Sequence, residues 1–422
     1  MPEKESGQGS YRGFGARPAG LLPLSRGLLD AAALSSRHQA LLPPVPRAAE
    51  EAFVGITADG NVVPDLFALR DTGWSPEPAA KAALSFLDSL TPVQRNAVLF
   101  EIDANQWRMW VNAFPTWDPH GLRLEDFEPG QRDRALTIIE ACLSASGFAD
   151  TRAAMKLNAA LGELIDQYRD TLTEFCYFFA LFGTPSATEP WGWQLWGHHL
   201  DVSCFILGRQ MVLTPTFMGA EPVAADRGTY EGTRLFDAQR QAGLELRRSL
   251  RPEQARLAVL YGSMRSQDLP EDLADPVDGR HRAGAGRDNR VIPYEGLSAD
   301  RLTSGQQELL LHLVGTYAHR MPTGPSAALL KDVQRHLDDT HIAWIGAAGE
   351  EDAFYYRVHN PVLLIEYDCH QGVFLNNTQP EPFHVHTIVR TPNGGDYGRD
   401  LLGRHLARHH RQPISPSRYS GG

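Results

Sequence analysis

Cysteine is scarce in this chain: Cys142, Cys176, Cys204 and Cys369 are the only four among 422 residues, and no two stand at a Cys-x-x-Cys spacing. That excludes a disulfide scaffold and argues against a zinc ribbon or a thioredoxin motif. Buried, reduced thiols are the expected state. Long hydrophobic runs are missing as well. No stretch approaches the roughly 18 apolar residues that a membrane helix needs. Arg26 and Asp30 interrupt the leucines near the N-terminus, so neither a membrane span nor a secretory leader is expected. Positive charge is in deficit, with 40 Lys and Arg against 51 Asp and Glu, a net charge of -11. This counts against general nucleic-acid binding. A cytoplasmic protein acting on a small molecule is the expectation.

Several reaction signatures are absent too. There is no Gly-x-x-x-x-Gly-Lys-Ser/Thr loop and no Gly-x-Gly-x-x-Gly opening a helix after a strand. A Gly-x-Ser-x-Gly elbow and a His-Glu-x-x-His helix are also missing. Nucleotide hydrolysis, Rossmann redox chemistry, α/β-hydrolase catalysis and zincin proteolysis lose ground accordingly.

The organisation is legible in outline. Residues 1–45 read as a disordered extension, residues 46–411 as a single domain and residues 412–422 as a flexible tail. A short hairpin is expected at Asp59-Gly60-Asn61. Helix openings recur at Thr91-Pro92-Val93-Gln94, Glu128-Pro129-Gly130-Gln131, Arg251-Pro252-Glu253-Gln254 and Thr303-Ser304-Gly305-Gln306. They read as one good helix start used repeatedly rather than as a duplication, because the downstream residues do not align. Strand patterns form two clusters. Trp193 to Ile206 and Gln210 to Phe217 make a hairpin turning at Gly208-Arg209. The second cluster spans Ile342 to Arg390. The segment from Asp268 to Arg290 carries both charge signs and reads as a solvated insertion. The fold class is α+β: a largely helical body with one mainly antiparallel sheet formed by two strand clusters.

What the chain does have is histidine in strand-like settings. Gly197-His198-His199-Leu200 follows a tryptophan-rich run, and Phe383-His384-Val385-His386 lies far downstream. Leu364-Ile365-Glu366-Tyr367-Asp368 lies between them. Side chains alternate along a strand, so His384 and His386 share a face, as do Glu366 and Asp368, with His370 next along. His198 and His199 would point apart, and only one of them is expected to face a common site. Imidazole and carboxylate donors in this arrangement suit a divalent metal ion such as zinc, iron(II) or manganese. The candidate ligands are His198, His199, Glu366, His384 and His386. Asp368 is the candidate general base. Arg390 lies on the same face as His386 and is expected either to bind an acidic substrate group or to pair with Glu366 or Asp368. Blander readings exist beside these. Trp191, Trp193 and Trp196 suit core packing, Asp396 suits a helix cap, Glu221 is a supporting or loop acid, and His405 and His409 suit a helix C-terminus.

These motifs together resemble one family. Glu189-Pro190-Trp191-Gly192-Trp193-Gln194-Leu195-Trp196-Gly197-His198-His199-Leu200 and Thr214-Pro215-Thr216-Phe217-Met218-Gly219-Ala220-Glu221-Pro222 carry the likeness. So do Leu364 to Asp368, His384-Val385-His386-Thr387, Arg390, Asp396-Tyr397-Gly398 and Asp400-Leu401-Leu402. The pattern resembles the domain of unknown function 3500 family over roughly residues 50 to 411. The resemblance implies a single full-length unit and a grouping of these motifs. It implies no activity, cofactor or substrate, and residues 268–290 fit it loosely. From the residues themselves, the expected function is a metal-dependent hydrolase acting on a small, acidic molecule. The alternatives are a non-haem iron(II) oxygenase and a non-catalytic small-ligand-binding protein.

Overall fold

All four recurrent helix openings form, and they meet in pairs. A computed structural model describes residues 45–409 apart from 115, 117, 118, 276 and 277, and before them only 11, 14–16, 24–25 and 28–29. Most of the expected extension and all of the expected tail thus lie outside the described residues. Helix α1 spans Glu77–Asp88, α2 Pro92–Val98 and α3 Pro129–Cys142. Gln94 and Gln131 each accept from the backbone N–H three residues upstream, closing their own helix starts. The two amides then bond each other, Gln94 Nε2 to Gln131 Oε1 at 3.0 Å, and Gln131 Nε2 donates to the Ser89 carbonyl at 2.7 Å. The same device recurs in α5 (Asp237–Ser249), α6 (Pro252–Ala258) and α7 (Ser304–Ala318). There Gln254 Nε2 bonds Gln306 Oε1 at 3.0 Å and Gln306 Nε2 donates to the Ser249 carbonyl at 2.7 Å.

The recurrence extends to the strands. After α2 comes β1 (Leu99–Phe100), then β2 (Leu122–Arg123), α3, α4 (Ala145–Leu164) and β3 (Phe178–Gly183). After α6 comes β8 (Val259–Tyr261), then β9 (Leu297–Ser298), α7, α8 (Thr323–Arg335) and β10 (His341–Gly346). Strand β1 pairs parallel with β3, and β2 pairs antiparallel with it. Strands β8 and β9 pair with β10 in the same two senses. The chain therefore folds as two copies of one motif, which corrects the expectation of independent helix starts. The repeat resides in paired capping amides and in strand pairing, while the residues downstream of the openings do not align.

The remaining strands are β4 (Trp191–Gly197), β5 (Leu200–Leu207), β6 (Gln210–Val212), β7 (Thr216–Ala220), β11 (Phe354–Asn360), β12 (Leu363–Cys369) and β13 (Val385–Arg390). One sheet contains both repeats, ordered β8-β10-β11-β12-β13-β7-β5-β4-β3-β1. The fold is α+β, as expected. The sheet is mixed, however, with parallel pairs near both ends, rather than mainly antiparallel. The repeats join at one seam, where β7 pairs with β13.

Alternation sorts the two faces. Met218, Ala220, Ile365 and Tyr367 join the cluster that contains the apolar sides of α1, α3, α4 and α7. Phe217, Leu364 and Ile388 face the other way, onto Trp107, Trp110, Ile292 and Tyr397 from irregular segments. The hairpin expected near Asp59 does not form; Thr57 instead bridges to Val291. A last helix, α9, spans Arg399–His409.

The glutamine pairs give a direct test. Gln306→Leu strands the Thr303 N–H, the Ser249 carbonyl and a buried amide, and should cost about 1–3 kcal/mol in urea unfolding. Gln131→Leu should cost a similar amount. If neither unfolding midpoint moves, the paired caps do not hold the repeats together.

Candidate functional site at the seam

The two-histidine step lies in a turn, not in a strand. Gly197 pairs with Leu200, so His198 and His199 form the tip of the β4–β5 hairpin. His199 takes φ 62, the left-handed region, which histidine enters more readily than most side chains. Its N–H donates to the Asn112 carbonyl at 3.1 Å and its own carbonyl accepts from Gly219 at 2.8 Å. The alternation argument therefore fails across this step. The second turn, at Gly208-Arg209, is where the sequence places it.

The turn sends the two rings to different partners. His199 Nε2 lies 3.1 Å from His386 Nε2, which lies 3.0 Å from His384 Nε2. The ligand atoms of these three residues all lie within 4.8 Å of one another. His198 instead engages Asn158 Oδ1 through Nδ1 at 2.7 Å and stacks behind His199 at 3.9 Å. Asn158 donates its own amide to the Thr173 carbonyl, which fixes its oxygen as the acceptor and the His198 Nδ1 as an N–H.

Room for the rings comes from a missing side chain. Gly219 stands opposite His386 across the seam, and a Cβ there would lie 2.9 Å from both the His199 and His386 Cδ2 atoms. His384 is oriented from behind. Its Nδ1 meets the Gln371 carbonyl at 2.7 Å, so it carries the proton there and presents a bare Nε2 to the cluster. Glu221 lies 3.8 Å from the same Nδ1, held by the N–H groups of Val373, Phe374 and Leu375.

Burial pushes His199, His384 and His386 well below the ordinary imidazole value, and repulsion from neighbouring positive charge, that of His370 in each case, pushes the same way. All three are neutral near pH 7. Neutral rings cannot satisfy both short contacts. His384 Nε2 has no proton to offer, and His386 Nε2 can donate only one. If it accepts instead from His199, it faces another bare nitrogen at His384. A cation among the three nitrogens removes this conflict.

The acidic candidates are occupied elsewhere, which corrects their expected roles. Glu366 accepts from the Arg282 and Ala283 N–H groups and from the Tyr355 hydroxyl at 2.6 Å. Asp368 is clasped by the Arg280 fork and by the Arg280 N–H. Arg390 pairs with Asp288 and Asp396, rather than with Glu366, Asp368 or an open cleft. Asp288 also accepts from Arg108 at 2.8 Å and from the Tyr397 hydroxyl at 3.1 Å. Asp396 accepts from the Thr391 N–H and so joins this network instead of merely capping the last helix.

Glu366 and Asp368 both depend on the stretch expected to be a solvated insertion, and Asp288 belongs to it. Asp278, Arg280, His281 and Asp288 are all buried. Arg280 and Asp288 look solvated in sequence because their partners, Asp368 for the one and Arg108 and Arg390 for the other, lie far away along the chain. His281 and His370 are two further site histidines that the sequence reading left out of its ligand set. His370 stacks on His386 at 4.5 Å with its Nε2 buried and unpartnered, and His281 lies 6.2 Å from His386. The period-two face of Glu366 and Asp368 points to His370; nothing in the sequence points to His281.

A family model described as a protein of unknown function, DUF3500, matches residues 73–399. The chain belongs to the DUF3500 family. The matched range spans the three clustered histidines, both networks and residues 268–290. No curated protein and no solved structure matches the chain. Among the described residues, no helix is long and apolar enough to cross a membrane.

Two outcomes follow from the buried charges. Arg280→Met leaves the buried Asp368 carboxyl without its guanidinium partner, and should lower unfolding free energy by about 3–5 kcal/mol. The double variant with Asp368→Asn should recover part of this loss; equal stability of Arg280→Met and wild type would contradict the pairing. His120, stacked on Trp196 and bonded to Gln194, is pushed by burial from 6.5 down to about 4. In that window the unfolded chain binds one more proton than the native one. His120 should therefore contribute a fall in stability as pH drops through it of about 1.4 kcal/mol per pH unit. His120→Asn should flatten the slope by one proton in pH-dependent denaturation.

Proposed function

We propose that this protein is a metal-dependent hydrolase whose divalent ion is held by His199, His384 and His386. The observation that carries the reading is the convergence of three neutral imidazole nitrogens at 3.0 and 3.1 Å. Zinc–imidazole bonds of roughly 2.0–2.1 Å place neighbouring nitrogens about 3.3–3.4 Å apart in a tetrahedron. A small outward shift of the rings accommodates an ion. Three neutral ligands leave the full charge of the ion to act on a bound water and on a polarised substrate bond.

The donor set favours zinc over iron(II). An iron(II) oxygenase site of the common kind takes two histidines and one carboxylate. Here Glu366 and Asp368 are spent on backbone N–H groups and on Arg280. Arg390 is likewise neutralised by two aspartates, which removes the support for an acidic substrate. A small molecule remains the proposed substrate. In this reading Asp368 and Arg390 hold the frame, Glu221 and the Gln371 carbonyl orient His384, and His198 backs His199.

One observation favours a second reading. The three rings are only 3%, 0% and 4% exposed, as in a closed structural site that pins the seam. Protein purified without a tag or added metal should contain stoichiometric zinc by elemental analysis. Gly219→Ala, which crowds two ligands, should weaken zinc binding about tenfold or more, and His386→Ala should abolish it. Hydrolysis of a panel of small esters, amides and phosphoesters that disappears in His386→Ala supports the hydrolase. Loss of thermal stability on chelation, with no turnover by the zinc-loaded protein, supports the structural ion. A folded protein that binds no metal refutes both.

A further inference from the structure

The face of the seam opposite the histidines carries a second feature. A cavity of about 80 Å³ lies between α7, α8 and the helix side of β7, β12 and β13. Its wall is mostly aliphatic, with Leu213, Val314, Leu329, Ile365 and Val389 among the lining residues. Most polar groups on this wall are satisfied within the protein. Thr214 and Thr391 bond each other, Thr216 donates to the Leu213 carbonyl, and Gln210 donates to Ala68 and accepts from Arg70. Asp332 is held by both Arg70 and Arg335.

Arg320 is different. It lines the cavity and is 3% exposed. Its Nε pairs with Asp150 at 3.2 Å and its guanidinium lies over the Tyr317 ring. Among the described residues, neither terminal nitrogen, Nη1 or Nη2, has a hydrogen-bond partner, and both are buried. Arg70, on the same wall, also has a buried Nε without a partner. Unpaired guanidinium donors are costly in an apolar setting, and a planar two-nitrogen fork matches a carboxylate. The local charges agree, since among the described residues Arg70, Arg320 and Arg335 make their ion pairs with just two acids, Asp150 and Asp332.

We infer that this cavity binds an aliphatic monocarboxylate, its carboxylate on the Arg320 fork and its short tail among the aliphatic residues. The volume suits a tail of about four to six carbons, since about 10–15 Å³ of such a cavity takes one water-sized group and the carboxylate takes about two of them. The site is separate from the histidine cluster and does not depend on a metal there. Thr216, Ile365 and Val389 alternate along their strands with Phe217, Glu366 and Ile388, which face the other side.

Isothermal titration of the full chain with hexanoate and with 1-hexanol tests this. Hexanoate should bind at least about tenfold more tightly, the margin expected of charge-assisted hydrogen bonds. Arg320→Met should lower hexanoate affinity to that of the alcohol, and Arg320→Lys, which keeps charge but not the fork, should give an intermediate value. Leu329→Trp should fill the cavity and remove binding of both. Equal affinity for acid and alcohol, no binding of either, or unchanged hexanoate binding in Arg320→Met overturns the inference. The Lys variant keeps the test decisive if the Met variant fails to fold.

Discussion

The pairing of β7 with β13 through Gly219 and His386 is the constraint on which the candidate site depends. At this one register position a residue without a side chain faces an imidazole. The space left over Gly219 admits a second imidazole from the β4–β5 turn. A one-residue slip would put Met218 or Ala220 in that place and turn His386 to the other face. Register here is set by burial on both faces. Phe217 and Ile388 pack on one side while Met218 and Ala220 pack under the helices. Apolar packing thus fixes the position of the polar cluster to within a side-chain rotation.

That arrangement buries much more than three histidines. Glu366, Asp368, Arg390, Asp396 and Asp288 all lie on this face with little or no exposure. Such groups are tolerated only when each is paired or hydrogen-bonded. The 280–290 stretch supplies most of the partners: the Arg280 fork, two backbone N–H groups for Glu366, and Asp288 between Arg108 and Arg390. The cover over the site is therefore itself a set of counter-charges. Its removal would expose acids and bases whose partners had been chosen one by one, which makes it a structural lid in the electrostatic sense rather than a loose loop.

How much of this could be read from the residues depends on range. Helix starts at Thr91, Arg251 and Thr303 were legible because capping is decided within four residues. The strand clusters and the Gly208 turn were legible for the same reason. His384 and His386 were legible as a pair because two-residue spacing in a strand fixes a shared face. What failed was long-range. The turn at His198-His199 carries no glycine or proline, so it looked like continuous strand, and His199 could not be told from His198. Glu366 and Asp368 looked like ligands because Arg280 and the Ala283 N–H lie more than 80 positions away. The duplication was hidden because its shared parts are long-range: a pattern of strand pairing and two glutamine pairs whose members lie 37 and 52 residues apart.

The two-copy organisation also explains why a site appears at the seam and nowhere equivalent. Two strands related by approximate symmetry meet there, yet the residues at neighbouring register positions differ in kind: Gly219 faces His386, while Phe217 faces Ile388. One end of the seam is opened for polar groups and the other is closed by apolar packing. An apolar wall next to the imidazoles lowers their basicity by excluding water, which keeps their lone pairs free for a cation instead of a proton. The seam thus presents a cluster of neutral donors, while the acids buried beside it, Glu366 and Asp368, are each held by partners of their own.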